Sequence, residues 1–144
     1  MGRILSVDYG KKRTGIAVSD TLQLVANGLT TVETPHLFDF VKNYLAKEPV
    51  DIIVVGKPKQ LDNTASENMA RIIPFFNRLK KAFPSVQIVY YDERFTSVLA
   101  HQAMITGGMK KSQRRNKGKV DEISAVIILE DYMESRRLQQ ERLQ

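Results

Sequence analysis

The stretch Asp51-Ile52-Ile53-Val54-Val55-Gly56 constrains the fold of this chain more than any other. Four consecutive β-branched residues closed by glycine are too short a run for a helix and too apolar for a strand with one face in water. Such a strand is buried on both faces and pairs with parallel neighbours. Parallel neighbours require long crossovers, normally helical. The flanking sequence supplies them. Before the run, Leu37, Phe38, Val41, Tyr44 and Leu45 recur at helical spacing as far as Glu48-Pro49, with Thr34 as N-cap and Pro35 in the first turn. After it, Met69, Ile72, Ile73, Phe76, Leu79 and Phe83 form a second helical stripe, opened by the capping-box pair Thr64 and Glu67. Pro74 lies within that stripe, so a kink, or a break near Ile73, is expected. Val86-Gln87-Ile88-Val89-Tyr90-Tyr91 then reads as a further strand.

Upstream, Ile4-Leu5-Ser6-Val7-Asp8 and Arg13-Thr14-Gly15-Ile16-Ala17-Val18-Ser19 flank a Gly10-containing turn, the pattern of two paired antiparallel strands. Residues 22–32 continue as a third strand, with Asn27-Gly28 marking a bulge. Downstream, a helix is expected over 95–104, then a loop over 107–119, then a last helix over 120–137 that is apolar on nearly all sides at first and charged after Glu130. The order βββαβαβαα describes an α/β domain with a mixed five-stranded sheet, three antiparallel strands followed by parallel ones, flanked by helices. With 144 residues and no internal repeat or linker, one domain over 1–144 is expected, with 138–144 as a charged tail.

Charge is informative through its position. Of the 22 basic residues, six lie within 107–119 (Lys110, Lys111, Arg114, Arg115, Lys117 and Lys119), and the remaining 16 balance 16 acids. The whole excess of +6 therefore sits in one basic, flexible loop, which is either a solvated segment or the footprint of a polyanion such as nucleic acid. The absence of cysteine removes disulfides, thiolate metal sites and catalytic thiols, and fits a reducing, cytoplasmic setting. No apolar run approaches a membrane span, so no membrane partner is expected. The pattern sets no oligomeric state.

Three acids fall where strands or helices begin or end. Asp8 closes the first strand, Asp92-Glu93-Arg94 closes the fifth, and Asp121 starts the last helix. Ligands of such sheets gather beyond the carboxyl ends of the strands. Three carboxylates converging there repel one another unless cations neutralise them, which suits a hard, oxygen-seeking ion such as Mg²⁺ or Mn²⁺. Each acid also has an ordinary reading: Asp8 as a turn residue, Asp121 as a favourable charge near a helix N-terminus, and Glu93 as the neighbour of an equally acidic Asp92, only one of which can face the site. Tyr9, Tyr91 and Phe95 are candidates to stack on bases, or simply to pack. Asp20 reads as a strand-end turn residue. His36 and His101 stand alone, with no ligand spacing around them. Gly10-Lys11-Lys12-Arg13-Thr14-Gly15 is not a P-loop, because Ile16-Ala17 follow where Lys and Ser or Thr are needed.

Taken together, Asp8-Tyr9-Gly10-Lys11-Lys12-Arg13-Thr14-Gly15-Ile16-Ala17-Val18-Ser19-Asp20, Val55-Gly56-Lys57-Pro58 with Asp62, Asp92-Glu93-Arg94-Phe95-Thr96-Ser97 and Val120-Asp121-Glu122-Ile123-Ser124-Ala125 resemble the YqgF/RuvX family. These are small bacterial proteins of ribonuclease H-like fold, described as Holliday-junction resolvases and as pre-16S ribosomal RNA nucleases. The resemblance implies that Asp8, Glu93 and Asp121 are catalytic, metal-binding acids. It also implies that Lys12, Arg13 and Arg94 lie close enough to contact phosphate, alongside the loop cations Lys110, Lys111, Arg114, Arg115, Lys117 and Lys119. The activity implied is metal-dependent phosphodiester hydrolysis in structured nucleic acid, with pre-16S rRNA 5′-end processing as the role. The alternatives are resolution of branched DNA in recombination or repair, and a non-catalytic RNA-binding ribosome-assembly module. A nucleotide-phosphate binder is a further class, since the Asp-x-Gly hairpin also resembles the phosphate turn of two-domain ATPases.

Overall fold

The computed structural model describes residues 2–57, 63–92 and 117–142, and their side chains other than those of 63–66, 92, 117–121 and 140–142. Five strands, β1 (Arg3–Asp8), β2 (Arg13–Ser19), β3 (Ala26–Glu33), β4 (Val50–Lys57) and β5 (Gln87–Asp92), form one sheet in the order β3-β2-β1-β4-β5. β1 pairs antiparallel with β2 and parallel with β4, and β4 pairs parallel with β5. The helices are α1 (Leu37–Lys47), α2 (Asn63–Ala82) and α3 (Lys117–Arg142).

The apolar run of β4 is buried as its composition requires, with Ile52, Ile53, Val54 and Val55 all within 4% of complete burial. Its alternate residues serve two cores. Leu5, Val7, Ile16, Ile53, Val55 and Ile88 join Leu37 and Val41 of α1 and Ile72, Phe76 and Leu79 of α2 on one face. Ile4, Ala17, Ile52 and Val54 meet Ala125, Ile128, Leu129 and Met133 of α3 on the other. The sheet is thus a middle layer between α1 and α2 on one side and α3 on the other.

Several boundaries differ from the sequence reading. Pro74 does not break α2, which continues from Asn63 to Ala82. The missing hydrogen bond and ring clash cost about 3 kcal/mol, whereas complete burial of Ile72 and Leu79 on either side contributes about 1.5–3 kcal/mol for each side chain. Thr34 is not the cap of α1. It opens a 3-10 turn, Thr34–His36, and its hydroxyl instead donates to the Gly10 carbonyl at 2.6 Å. β3 starts at Ala26 rather than residue 22, because Asp20 ends the hairpin by accepting the amides of Leu24 and Val25 at 2.7 and 2.9 Å. The register shift in β2–β3 falls between Ile16 and Ala17, opposite Gly28 and Thr30, beside the Asn27-Gly28 pair. α3 begins at Lys117 rather than Val120 and extends to Arg142, so Lys117 and Lys119 are helical and most of the expected tail is too. The helix expected over 95–104, and the loop through residue 116, lie outside the described residues. No helix among the described residues is long and apolar enough to cross a membrane.

Candidate active site at the carboxyl rim of the sheet

β1 lies at the centre of the sheet, and its parity decides which side each residue serves. Leu5 and Val7 face α1 and α2, while Ile4 and Ser6 face α3. Asp8 shares the parity of Ile4 and Ser6 and therefore stands on the α3 face at the last position of the strand. It is opposite Gly15 of β2, and one residue beyond the Val7–Val55 pair that links β1 to β4.

Ser6 fixes the helix over this strand. Its hydroxyl is fully buried and donates to the Ala125 carbonyl at 2.6 Å. Ile4, one step back along β1, packs in the same cluster as Met133, two helical turns further along α3. The helix therefore runs antiparallel to β1. Two residues of strand carry Ser6 to Asp8 over about 6.6 Å, and four residues of helix carry Ala125 back to position 121 over about 6 Å. Position 121 therefore lies in the part of α3 toward the Asp8 end of β1. It lies in the second turn of α3, beyond the reach of the helix-terminus field. An acid there is not accounted for by favourable placement at a helix start.

Across the sheet, the row that begins at Asp8 continues through Gly56 of β4 to Tyr91 of β5, because Val7 is paired with Val55 and Gly56 with Tyr91. Glycine in the middle of the row puts no side chain between Asp8 and β5. At its far end Tyr91 meets Tyr132 of α3 edge-on, with ring centroids 6.2 Å apart at 87°. Burial raises the Tyr132 phenol above its ordinary pKa, with Arg136 opposing, so that phenol is neutral at physiological pH.

The turn after Asp8 is rigid. The Gly10 amide donates to the Thr14 hydroxyl at 3.4 Å, Thr14 and Thr34 hydroxyls lie 2.9 Å apart, and the Thr34 amide donates to the Lys12 carbonyl at 2.9 Å. A Cβ on Gly10 would collide with the Arg13 carbonyl, so the turn has room only for glycine. Lys12 is exposed on this turn and Arg13 is half-buried at the start of β2.

Of the predicted acids, Asp8 ends β1 on the α3 face, and the backbone of Asp121 lies in the part of α3 toward that end of the strand. Glu93 lies outside the described residues, as do Arg94, Lys110, Lys111, Arg114 and Arg115. Asp92 ends β5, with Tyr90 two residues earlier on the α1 and α2 face and Tyr91 on the α3 face. His36 is exposed, with its Nε2 3.8 Å from the Glu33 carboxylate. Asp20 is held below the usual carboxylate pKa by the Val25 and Leu24 amides, as befits a turn residue. Among the described residues no three His, Cys, Asp or Glu side chains cluster as a metal site. The described rim carboxylate, Asp8, is an oxygen donor of the kind a hard divalent ion takes, and Gly56 beside it in the row carries no side chain. Sequence reasoning missed two cations of α2, Arg71 and Arg78, near the Asp8–Tyr9 end of β1. Their i, i+7 spacing on a helix lined with aromatics was the available signal.

A mixed sheet in this order, with an acid ending the central strand and a helix antiparallel across it, defines a ribonuclease H-like α/β protein. The structure of Thermus thermophilus RuvC in complex with a Holliday junction substrate has the same fold, with a TM-score of 0.59 over 95% of this chain and 96% of that one, at 13% sequence identity. The chain belongs to the RuvX family, whose sequence profile, described as Holliday junction resolvase, matches residues 2–135. A relative from Phocaeicola vulgatus that carries the name pre-16S rRNA nuclease is 61% identical over 137 residues, covering 95% of this chain and 99% of the relative. One from Bacteroides thetaiotaomicron with the same name is 62% identical with the same coverage.

Proposed function

We propose that this protein is a metal-dependent nuclease that hydrolyses phosphodiester bonds in structured nucleic acid, with 5′-end processing of pre-16S rRNA as its role. The observation that supports the proposal is Asp8 at the carboxyl end of the central strand, on the face that α3 covers. Glu93, which the family resemblance assigns as the partner of Asp8 and Asp121, completes the proposed set. These three carboxylates would hold Mg²⁺ or Mn²⁺. An ion bound there supplies neutralisation of the phosphate oxygens and a lowered pKa for the attacking water.

The chain's own residues do the rest. Asp8 is the fixed anchor, because its strand is paired on both edges and its turn is braced by Thr14 and Thr34. Tyr91 and Tyr132 wall the β5 side and limit water. Lys12 and Arg13 stand on the turn beside Asp8, where cations balance the charge of bound phosphate. Arg94 and the basic run Lys110, Lys111, Arg114, Arg115, Lys117 and Lys119 extend the contact to flanking phosphates with sequence-independent, salt-sensitive affinity.

The test is cleavage by purified full-length protein of a pre-16S rRNA 5′-leader duplex and a four-way DNA junction, each with Mg²⁺ or Mn²⁺. Asp8→Asn, Glu93→Gln and Asp121→Asn should each lower the rate by at least about 100-fold, since even the outer partners of metal ligands cost 10- to 100-fold. Equal trace activity in wild type and Asp8→Asn sinks the catalytic reading and leaves RNA binding alone. The RuvC likeness and the family's description favour a second reading, junction resolution, and faster cleavage of the four-way junction than of the leader would select it.

A further inference from the structure

The carboxyl rim has a second side. Tyr9 directly follows Asp8 but packs on the α1 and α2 face, its ring 5.5 Å from that of Phe75 and tilted by 40°. Beside it an open cleft of about 300 Å³ runs between the start of α1 and the middle of α2. Two guanidinium groups flank the cleft. Arg71 and Arg78 are seven residues apart on α2, just short of two turns, so they share one side of the helix about 10 Å apart along its axis.

Arg78 lies over the Phe38 ring, with its Cζ 3.7 Å from the centroid, which leaves its outer face and N–H edges available. Arg71 lines the same cleft as Tyr9 and Phe75. Among the described residues no ion pair joins either guanidinium to a carboxylate. Cations with no carboxylate partner among the described residues, one of them stacked on a half-buried aromatic ring, match a partner that carries both phosphates and unpaired planar bases. A duplex shows phosphates but hides base faces, whereas a single strand shows both. An acidic peptide would satisfy the charges and leave the rings unused.

We propose that the cleft formed by Tyr9, Phe75, Phe38, Arg71 and Arg78 holds a single-stranded segment of substrate that continues over the rim from the Asp8 site. The continuity is covalent, since Asp8 and Tyr9 are neighbours on opposite faces of β1. The braced Gly10–Lys12 turn is the ridge the strand crosses. This inference rests on the nuclease reading for its substrate but concerns binding, and binding is measured separately.

The experiment uses the full chain carrying Asp8→Asn, so that nothing is cut, and fluorescently labelled RNA duplexes. One duplex is blunt, and two carry a single-stranded extension of about eight nucleotides, at the 5′ or the 3′ end, within the span of one strand-binding surface. One extension is expected to tighten binding about tenfold over the blunt duplex, as one stacked base and a phosphate contact would. Adding Arg71→Gln and Arg78→Gln should abolish that gain, leave blunt-duplex affinity unchanged, and reduce the slope of log K against log salt by about 1.4 for the extended RNA, 0.7 for each lost phosphate contact. Arg71→Lys with Arg78→Lys should restore the slope but only part of the affinity, because an ammonium group keeps the charge and loses the planar stack. The proposal is overturned if neither extension tightens binding, if the gain survives in the Gln variant, or if polyglutamate displaces the extended RNA as well as unlabelled RNA of equal charge does. Failure of the nuclease reading would appear elsewhere, as unchanged activity on Asp8→Asn.

Discussion

Replacing Ser6 tests how α3 is held over the sheet. Its hydroxyl is fully buried and joins residues 119 apart in sequence through a 2.6 Å bond to the Ala125 carbonyl. That carbonyl lies inside a helix and already accepts the amide four residues on. Ser6→Ala therefore strands no polar group, and its cost is the net value of one buried hydrogen bond, about 1 kcal/mol. For a domain of this size the unfolding midpoint should fall by roughly 3–4 °C. Ser6→Val is different. Carbon atoms approach no closer than about 3.5 Å, so a methyl group in place of the hydroxyl pushes the helix backbone away by about 1 Å. Overpacking of that kind costs about 1–3 kcal/mol. The helix carries Asp121, and a misplacement of about 1 Å lowers a positioned reaction by about 100-fold. The expected pattern is a small loss of stability with near-normal cleavage for Ser6→Ala, and a larger loss with about 100-fold slower cleavage but retained RNA binding for Ser6→Val. Urea unfolding and initial cleavage rates measure both. Wild-type cleavage by Ser6→Val would refute the view that α3 places a reacting group over Asp8, and a loss above about 3 kcal/mol in Ser6→Ala would refute the hydrogen-bond accounting.

Gly10→Ala forces a Cβ into the Arg13 carbonyl, and because the obstacle is backbone the turn itself must move; a loss of about 1–3 kcal/mol in urea unfolding, together with reduced cleavage, is expected two residues from Asp8, and full stability would show that the turn is softer than its hydrogen bonds imply. Asp20 has its pKa lowered by the Val25 and Leu24 amides, so its contribution to folding is present above the unfolded carboxylate pKa and is lost as pH falls through the folded value. The gap in unfolding midpoint between wild type and Asp20→Ala should be full at neutral pH and close as pH drops below about 4; a gap that persists to strongly acidic pH contradicts the assignment.

The strands were legible because burial on two faces leaves a plain record: Ile52 to Val55 could be little else than a central strand. The face assignment of Asp8 was equally legible in principle, since Leu5 and Val7 are apolar on one parity and Ser6 and Asp8 polar on the other. What could not be read was the height of α3. Apolar residues on several sides of its first half fix no register, and the polar contacts that mark it, Ser6 to the Ala125 carbonyl and Arg136 to Gln23, have no sequence signature. The start of α3 departs from the sequence expectation for a related reason. Lys117 and Lys119 looked like loop because they are charged, although lysine is a good helix former. Thr34 was assigned to the nearest helix start because Thr-Pro is a common local signal, whereas its hydroxyl serves the Gly10 turn 24 residues earlier. Arg71 and Arg78 were passed over because charges on an amphipathic helix normally mark only its solvent face, and their meaning depends on Tyr9 and Phe38, which the fold brings from elsewhere.

The parity of β1 also sets a rule for anyone altering this chain by insertion or deletion. The strand is held by β2 on one edge and β4 on the other, so a change of one residue between Ile4 and Val7 that is not taken up by a bulge, like the irregularity at Arg3/Ile4, turns the rest of the strand over. Asp8 would then face α1 and α2, and Tyr9 would face α3, with almost no change in composition. Two residues, not one, is the smallest edit that keeps the acid on its own side. Length variants of this strand should therefore sort by odd and even before they sort by hydrophobicity.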